Sequence, residues 1–270
     1  MNLHMKRTLR RQPCWKMPGI VLFALLLCLP LPFAQPAFAA TAPVGEPVVF
    51  QSGNETVHGL LYKPHGIGPF PAIVVIHEWW GLNDWIKQQA ADFSQQGYVT
   101  LAVDLYRGQV ATDPEMAHEL MRALPQDRGV AYLTSAVSYL KTRKDVKVNR
   151  IGAVGWCMGG SFAMQFAIAE PSLRAVAINY GAPETNGSQL KKIHAQILGN
   201  FGGLDRGITP DDVHAFARQM QAIGHPVDVK VYPDAGHAFE NPNNTTGYRA
   251  ADAKDAHQRM TAFFAKYLKD

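Results

Sequence analysis

The chain has 270 residues, 47% of them hydrophobic, and its 26 Lys and Arg outnumber its 22 Asp and Glu to give a formal net charge of +4. Five basic residues and no acidic ones lie in the first 39 positions, so the remainder carries 21 basic against 22 acidic residues. That balance leaves no electrostatic footprint for nucleic acid or for a membrane surface, and neither partner is expected of the chain beyond residue 39.

Residues 1–39 begin with Lys6, Arg7, Arg10, Arg11 and Lys16, continue through the apolar stretch 20–29, and pass Pro30 and Pro32 to reach Ala37-Phe38-Ala39. A basic segment, an apolar segment and a small-X-small site, in that order, predict a secretory signal peptide cleaved after Ala39. The apolar run falls short of the ~20 residues that span a bilayer, although an uncleaved anchor stands as the competing reading. Cys28 follows Leu27, where a lipoprotein needs a small residue, and Arg10-Arg11 lacks the hydrophobic continuation of twin-arginine export. Sec-type export to the periplasm or beyond is the expectation. Residues 40–270 read as a single domain, because no repeat, low-complexity tract or long polar linker divides them.

Next come strand candidates at 48–50, 57–62 and 72–76, a helix at 85–96, a strand at 99–103 and helices at 114–122 and 128–142. A strand at 151–154, a helix at 158–169, strands at 175–179 and 196–200, a helix at 210–223, a strand at 228–232 and a helix at 250–268 complete the chain. Continuous apolar runs such as Ala72-Ile73-Val74-Val75-Ile76 suit parallel strands buried on both faces. The alternation predicts an α/β fold: a doubly wound, mostly parallel sheet with helices on both faces.

In such a sheet, function gathers at the carboxyl ends of the strands. The run Ile151 to Gly160 is an apolar strand, a Gly-X-Cys-X-Gly turn and the start of an apolar helix, the context of a nucleophile elbow with a thiol in place of the hydroxyl. Side chains at Gly155 and Gly159 would collide as strand and helix close up, and the turn itself is strained. The helix N-terminus beneath Cys157 favours the thiolate. Cys157 is also the only cysteine past the signal, so it cannot form an intramolecular disulfide, and a redox role lacks a resolving thiol. A buried cysteine serving as a small hydrophobe is the competing reading.

The other strand ends carry His77-Glu78-Trp79-Trp80-Gly81, Asp104-Leu105-Tyr106-Arg107, Gly202-Gly203-Leu204-Asp205 and Pro233-Asp234-Ala235-Gly236-His237. Nucleophile, acid, then histidine is the chain order of α/β-hydrolases. Cys157 and His237 are the candidate nucleophile and base, while Asp104, Asp205 and Asp234 compete for the acid. Oxyanion donors are expected from the backbone N–H groups of Met158 and Trp79. His77-Glu78 lacks the second histidine of a helical zinc motif, and the glycines around Cys157 do not match a dinucleotide fingerprint. No metal or cofactor is expected.

From about residue 47 to 267 the chain resembles the dienelactone hydrolases, α/β-hydrolases with a Cys-His-Asp triad. The matching motifs are His77-Glu78-Trp79-Trp80-Gly81-Leu82, Asp104-Leu105-Tyr106, Gly155-Trp156-Cys157-Met158-Gly159-Gly160 and Tyr232-Pro233-Asp234-Ala235-Gly236-His237-Ala238-Phe239. The resemblance implies the α/β-hydrolase fold and a carboxymethylenebutenolidase-type enzyme acting on a small ester, lactone or thioester through an acyl-thioenzyme. It assigns the acid to Asp205 and makes Glu78 a contact of the nucleophile that controls its activation. The resembled enzymes hold a substrate carboxylate with arginines. Here Arg107 stands one position early, Asn241 occupies the position four past the histidine, and Ala238 replaces a serine. Arg107 is expected to receive an anionic group, with Trp79, Trp80, Tyr106 and Phe239 as an aromatic pocket wall. A hydrolase-fold protein that binds a ligand or partner without turnover is the alternative function.

Overall fold

The computed structural model describes residues 45–269. The signal peptide read in residues 1–39, with its cleavage site, lies outside the described residues. Strands β1 (Glu46–Ser52), β2 (Glu55–Tyr62), β3 (Phe70–Ile76), β4 (Val99–Asp104), β5 (Val146–Trp156), β6 (Ala175–Asn179), β7 (Gln196–Gly202) and β8 (Asp228–Tyr232) form one sheet in the order β1-β2-β4-β3-β5-β6-β7-β8. β2 pairs antiparallel with both β1 and β4; every other neighbour is parallel. β5 starts five residues ahead of its expected apolar core because Lys147, Val148 and Asn149 are exposed before the strand enters the interior.

Helices α1 (Asp84–Gln95), α2 (Pro114–Arg122), α3 (Gln126–Lys141), α4 (Met158–Ala169), α6 (Pro210–Ala222) and α7 (Ala250–Phe264) lie where periodicity places them. The short α5 (Gly187–Leu190) offers too few residues for a periodic signal, and the helix expected over 250–268 finishes as a π-helical turn, Ala265–Lys269. Local chemistry sets the helix starts. Asn83 accepts from the Ile86 N–H at α1, Asp113 accepts from Met116 ahead of Pro114, and Thr209 and Asp212 form a reciprocal capping box at α6.

β3 shows why the central strands lack polar alternation. Ala72, Val74 and Ile76 join the core shared with α3, α4 and α6, whereas Ile73 and Val75 join the core shared with α1 and α7. Both faces are buried, so both faces are apolar. The parallel register then sets Ile76 beside Gly155, Gly155 beside Ile178, Asn179 beside Asn200 and Gly202 beside Tyr232. The loops that follow β3, β5, β6, β7 and β8 therefore leave the sheet along a single edge.

Candidate active site

Cys157 lies between β5 and α4 with φ +54° and ψ −119°, a conformation that costs a non-glycine residue on the order of 1–3 kcal/mol. Its N–H donates to Asn179 O at 3.0 Å and its carbonyl accepts from Ser161 N at 3.0 Å, so neighbouring elements hold the strained turn in place. The two glycines around it are demanded by backbone approach. A β-carbon at Gly155 would lie 2.0 Å from Gly159 O, and one at Gly159 would lie 2.4 Å from Ile76 O.

The thiol meets His237, whose Nε2 is 3.1 Å from Sγ. On the other side of the ring, Nδ1–H donates to Asp205 Oδ2 at 2.7 Å. Asp205 Oδ1 accepts from the N–H groups of Gly207 and Ile208 at 2.9 and 3.1 Å, which aims the carboxylate. The loops bearing the acid and the base are stitched together as well, through Gly203 N to Tyr232 O at 2.7 Å and Leu204 N to Ala235 O at 2.9 Å. Among the three aspartates, Asp205 is the one that reaches His237. Asp104 accepts from the N–H groups of Tyr106 and Gly108 and closes the turn after β4, and Asp234 is exposed.

Electrostatics follow from this geometry. Burial works against a charged His237, but the hydrogen bonds to Asp205 and Cys157 outweigh it and push the ring up to about 10. Burial likewise opposes ionisation of Asp205, yet His237 and the two backbone donors hold its carboxyl below the usual range. Thiol, imidazole and carboxylate in this order can pass a proton from sulfur to nitrogen while the carboxylate fixes the ring tautomer.

Glu78 is 1% exposed, and burial raises its carboxyl to about 7 against the pull of Asn241, His237 and Tyr180. Its oxygens are engaged by Asn241 Nδ2 at 2.6 Å and Tyr180 Oη at 3.3 Å. The contact with the thiol that the resemblance implies for Glu78 is thus not what its oxygens make; His237 takes that place. A second buried acid, Glu240, accepts from Trp156 Nε1 at 3.0 Å, while its Oε1 has no hydrogen-bond partner. Burial first, then the charge of Glu78, pushes Glu240 up to about 8. Sequence reasoning passed over both Tyr180 and Glu240. Tyr180 follows β6 directly, at a strand end that could have been read with the others. Glu240 looks like a surface loop acid until Trp156 is seen above it.

The thiol opens into a cavity of about 1110 Å³. Trp79 and Trp80 line it as expected, joined by Met121, Met158, Ile208 and the loop Asn243-Asn244-Thr245-Thr246. Three residues expected to meet the substrate are elsewhere. Tyr106 is buried with its hydroxyl 3.1 Å from the Met158 sulfur, and Phe239 is fully buried between Tyr180 and Tyr232. Arg107 turns outward, donating to Glu55 at 2.7 Å and to Tyr132. Aromatic residues at a strand end read alike whether they face a cavity or the core; only packing separates them. Met158 opens α4, so its N–H is one of the first-turn groups without an intrahelical acceptor. Trp79 meets Trp80 and His118 ring to ring. His77 is a buried, neutral structural histidine: Nδ1–H donates to Glu78 O and Nε2 accepts from Leu105 N. Among the described residues no cluster of His, Cys, Asp and Glu is suited to a metal ion.

Residues 57–268 match the family model of the dienelactone hydrolase family. Protein usf of Aquifex pyrophilus is 32% identical over 83% of this chain and all of its own length. A provisionally named carboxymethylenebutenolidase of Aquifex aeolicus is 30% identical over 84% of this chain and all of its own. Among solved structures, a provisionally named dienelactone hydrolase from Klebsiella pneumoniae superposes with a TM-score of 0.76 at 26% identity, covering 84% of this chain and all of that one. With its eight-stranded sheet and its strand-end site, the chain belongs to the dienelactone hydrolase family and is a hydrolase with the α/β-hydrolase fold.

Proposed function

We propose that the protein hydrolyses small carboxylic esters, lactones or thioesters, with Cys157 as nucleophile, His237 as general base and acid, and Asp205 orienting the imidazole. Nε2 of the His237 ring, which Asp205 and Cys157 keep protonated at neutral pH, holds the thiol's proton, and Sγ attacks the acyl carbon as the thiolate. The resulting oxyanion is received by the N–H groups of Met158 and Trp79, donors typically worth ~2.7–4 kcal/mol each. Collapse expels the alcohol, thiol or ring oxygen with a proton from His237 and leaves a thioester on Cys157. Water, deprotonated by His237, then attacks that thioester and releases the acid.

The observation that supports this reading best is the continuous relay Sγ, Nε2, Nδ1, Oδ2, with spacings of 3.1 and 2.7 Å, in the floor of a cavity. Its test is hydrolysis of p-nitrophenyl acetate and butyrate, a dienelactone and a simple thioester by the protein and by Cys157→Ala. Turnover lost in the variant supports the thiol mechanism. Equal turnover by the variant overturns it, and none on any substrate favours ligand binding without catalysis. The same proposal puts the mature enzyme outside the cytoplasm, on the strength of the basic, apolar and small residues of positions 1–39. A periplasmic or secreted protein that begins at Ala40 supports export; an intact Met1 terminus in the cytoplasm overturns it.

A further inference from the structure

The geometry points to a substrate whose acyl group is uncharged: the cavity receives an apolar acyl chain and rejects one that carries a carboxylate. This rests on the hydrolase reading and specifies the substrate class of the same site.

Among the described residues of the cavity wall, Cys157 and His237 are the only titratable side chains. Both belong to the relay, and His237 already has Asp205 as its counter-charge. Around them the wall is made of the indoles of Trp79 and Trp80, the thioethers of Met121 and Met158, the aliphatic Ile208, and neutral amides and hydroxyls. Each cation near this wall is committed elsewhere or lies outside it. The Arg107 guanidinium is held by Glu55 and Tyr132. Arg249 donates to the carbonyls of Asp234, Thr246 and Tyr248. Arg206 precedes the wall residue Gly207 and Arg122 follows the wall residue Met121, but both are exposed and not part of the wall; His118, also outside the wall, sets its ring against Trp79. Asn241, the one amide set deep beside the relay, has its Nδ2 on Glu78.

Beneath the floor, charge runs the other way. Asp205 is a buried carboxylate within the shell that supports Cys157 and His237, and the buried Glu78, titrating near 7, is in part ionised at the pH of the assay below. A carboxylate on the acyl chain would give up its hydration to indole and thioether surfaces, find no cation, and face these acids across a low dielectric. A neutral chain of the same length meets none of these costs and gains from apolar burial. Selectivity of this kind arises as much from the missing counter-charge as from any attraction.

The test uses three esters of one length: p-nitrophenyl pentanoate, mono-p-nitrophenyl glutarate, and the methyl-capped diester, p-nitrophenyl methyl glutarate. Rates with the protein are measured at pH 7.5 and corrected for the spontaneous reaction of each ester. Both neutral esters are expected to exceed the hemiester in kcat/KM by a hundredfold, and a ratio of tenfold or more for both supports the proposal. A smaller or inverted ratio overturns it while leaving the hydrolase reading intact. Turnover of none of the three overturns the hydrolase reading and the proposal with it. Thr112→Arg, which puts a cation in the wall, should narrow the ratio at least tenfold; no narrowing, with the hemiester still rejected, shows that charge is not the discriminator.

Discussion

Glu240→Gln should stabilise the protein in base relative to acid. Glu240 is 7% exposed, and its carboxyl titrates near 8 in the folded chain against 4.5 for an unperturbed glutamate. Between those values the unfolded chain releases a proton that the folded chain keeps. Stability therefore falls as pH rises through that window and levels off above about 8. Linkage makes the penalty of ionising Glu240 grow by about 3 kcal/mol between pH 5.5 and pH 9. Glutamine has no such penalty. Its carbonyl can still accept from Trp156 Nε1, and an NH₂ at the partnerless Oε1 position costs ~1–3 kcal/mol at every pH, so that cost cancels in the comparison. For a domain of this size, ~3 kcal/mol corresponds to a shift of roughly 6–12 °C. Thermal unfolding followed by circular dichroism should show the variant gaining that much on the parent between pH 5.5 and 9. A Tm difference that is flat across this range refutes the reasoning, because Glu240 would then ionise alike in both states.

Gly159→Ala should prevent folding to the soluble native state, since its β-carbon would lie 2.4 Å from Ile76 O and 2.5 Å from His77 O, both backbone atoms. Gly187, where a β-carbon would meet nothing nearer than the Gln219 amide oxygen at 3.7 Å, is the control for the substitution, and native-like circular dichroism of the Gly159 variant would contradict the packing argument. Asp205→Asn keeps the shape but removes the carboxylate that holds the His237 tautomer and charge. kcat should fall by about 10⁴-fold, with the His237 titration, read by NMR, moving down from about 10. A drop of less than tenfold would mean that another acid serves the histidine.

What the sequence disclosed, and what it hid, divides along the range of the interactions involved. Strands such as Ala175–Asn179 and helices such as Met158–Ala169 were legible because apolar runs and small-residue turns are local. The strand–turn–helix at Cys157 was legible for the same reason, as Gly155, Cys157 and Gly159 lie within five positions. Phe239 and Tyr106 were misplaced because an aromatic ring at a strand end can turn toward a cavity or toward the core. Packing against Tyr180 and Tyr232 decides the first, and contact with Met158 decides the second. Arg107 was assigned to substrate, although Glu55 and Tyr132, 52 and 25 positions away, had already claimed it. Glu240 carried no local signal at all; its significance comes from the indole of Trp156, 84 positions earlier.

The turn at Cys157 divides its residues into those that hold the frame and the one whose side chain is free of it. Gly155, Gly159, Gly160 and Gly181 are in near backbone contact, where even a methyl group finds no room. The side chain at 157, by contrast, opens into the cavity. Evolution can therefore exchange sulfur for oxygen at that one position without disturbing β5, β6 or α4, while the inert glycines beside it cannot drift. In this architecture the side chain at the apex is the replaceable part, and a lineage can change it while inheriting the turn unchanged.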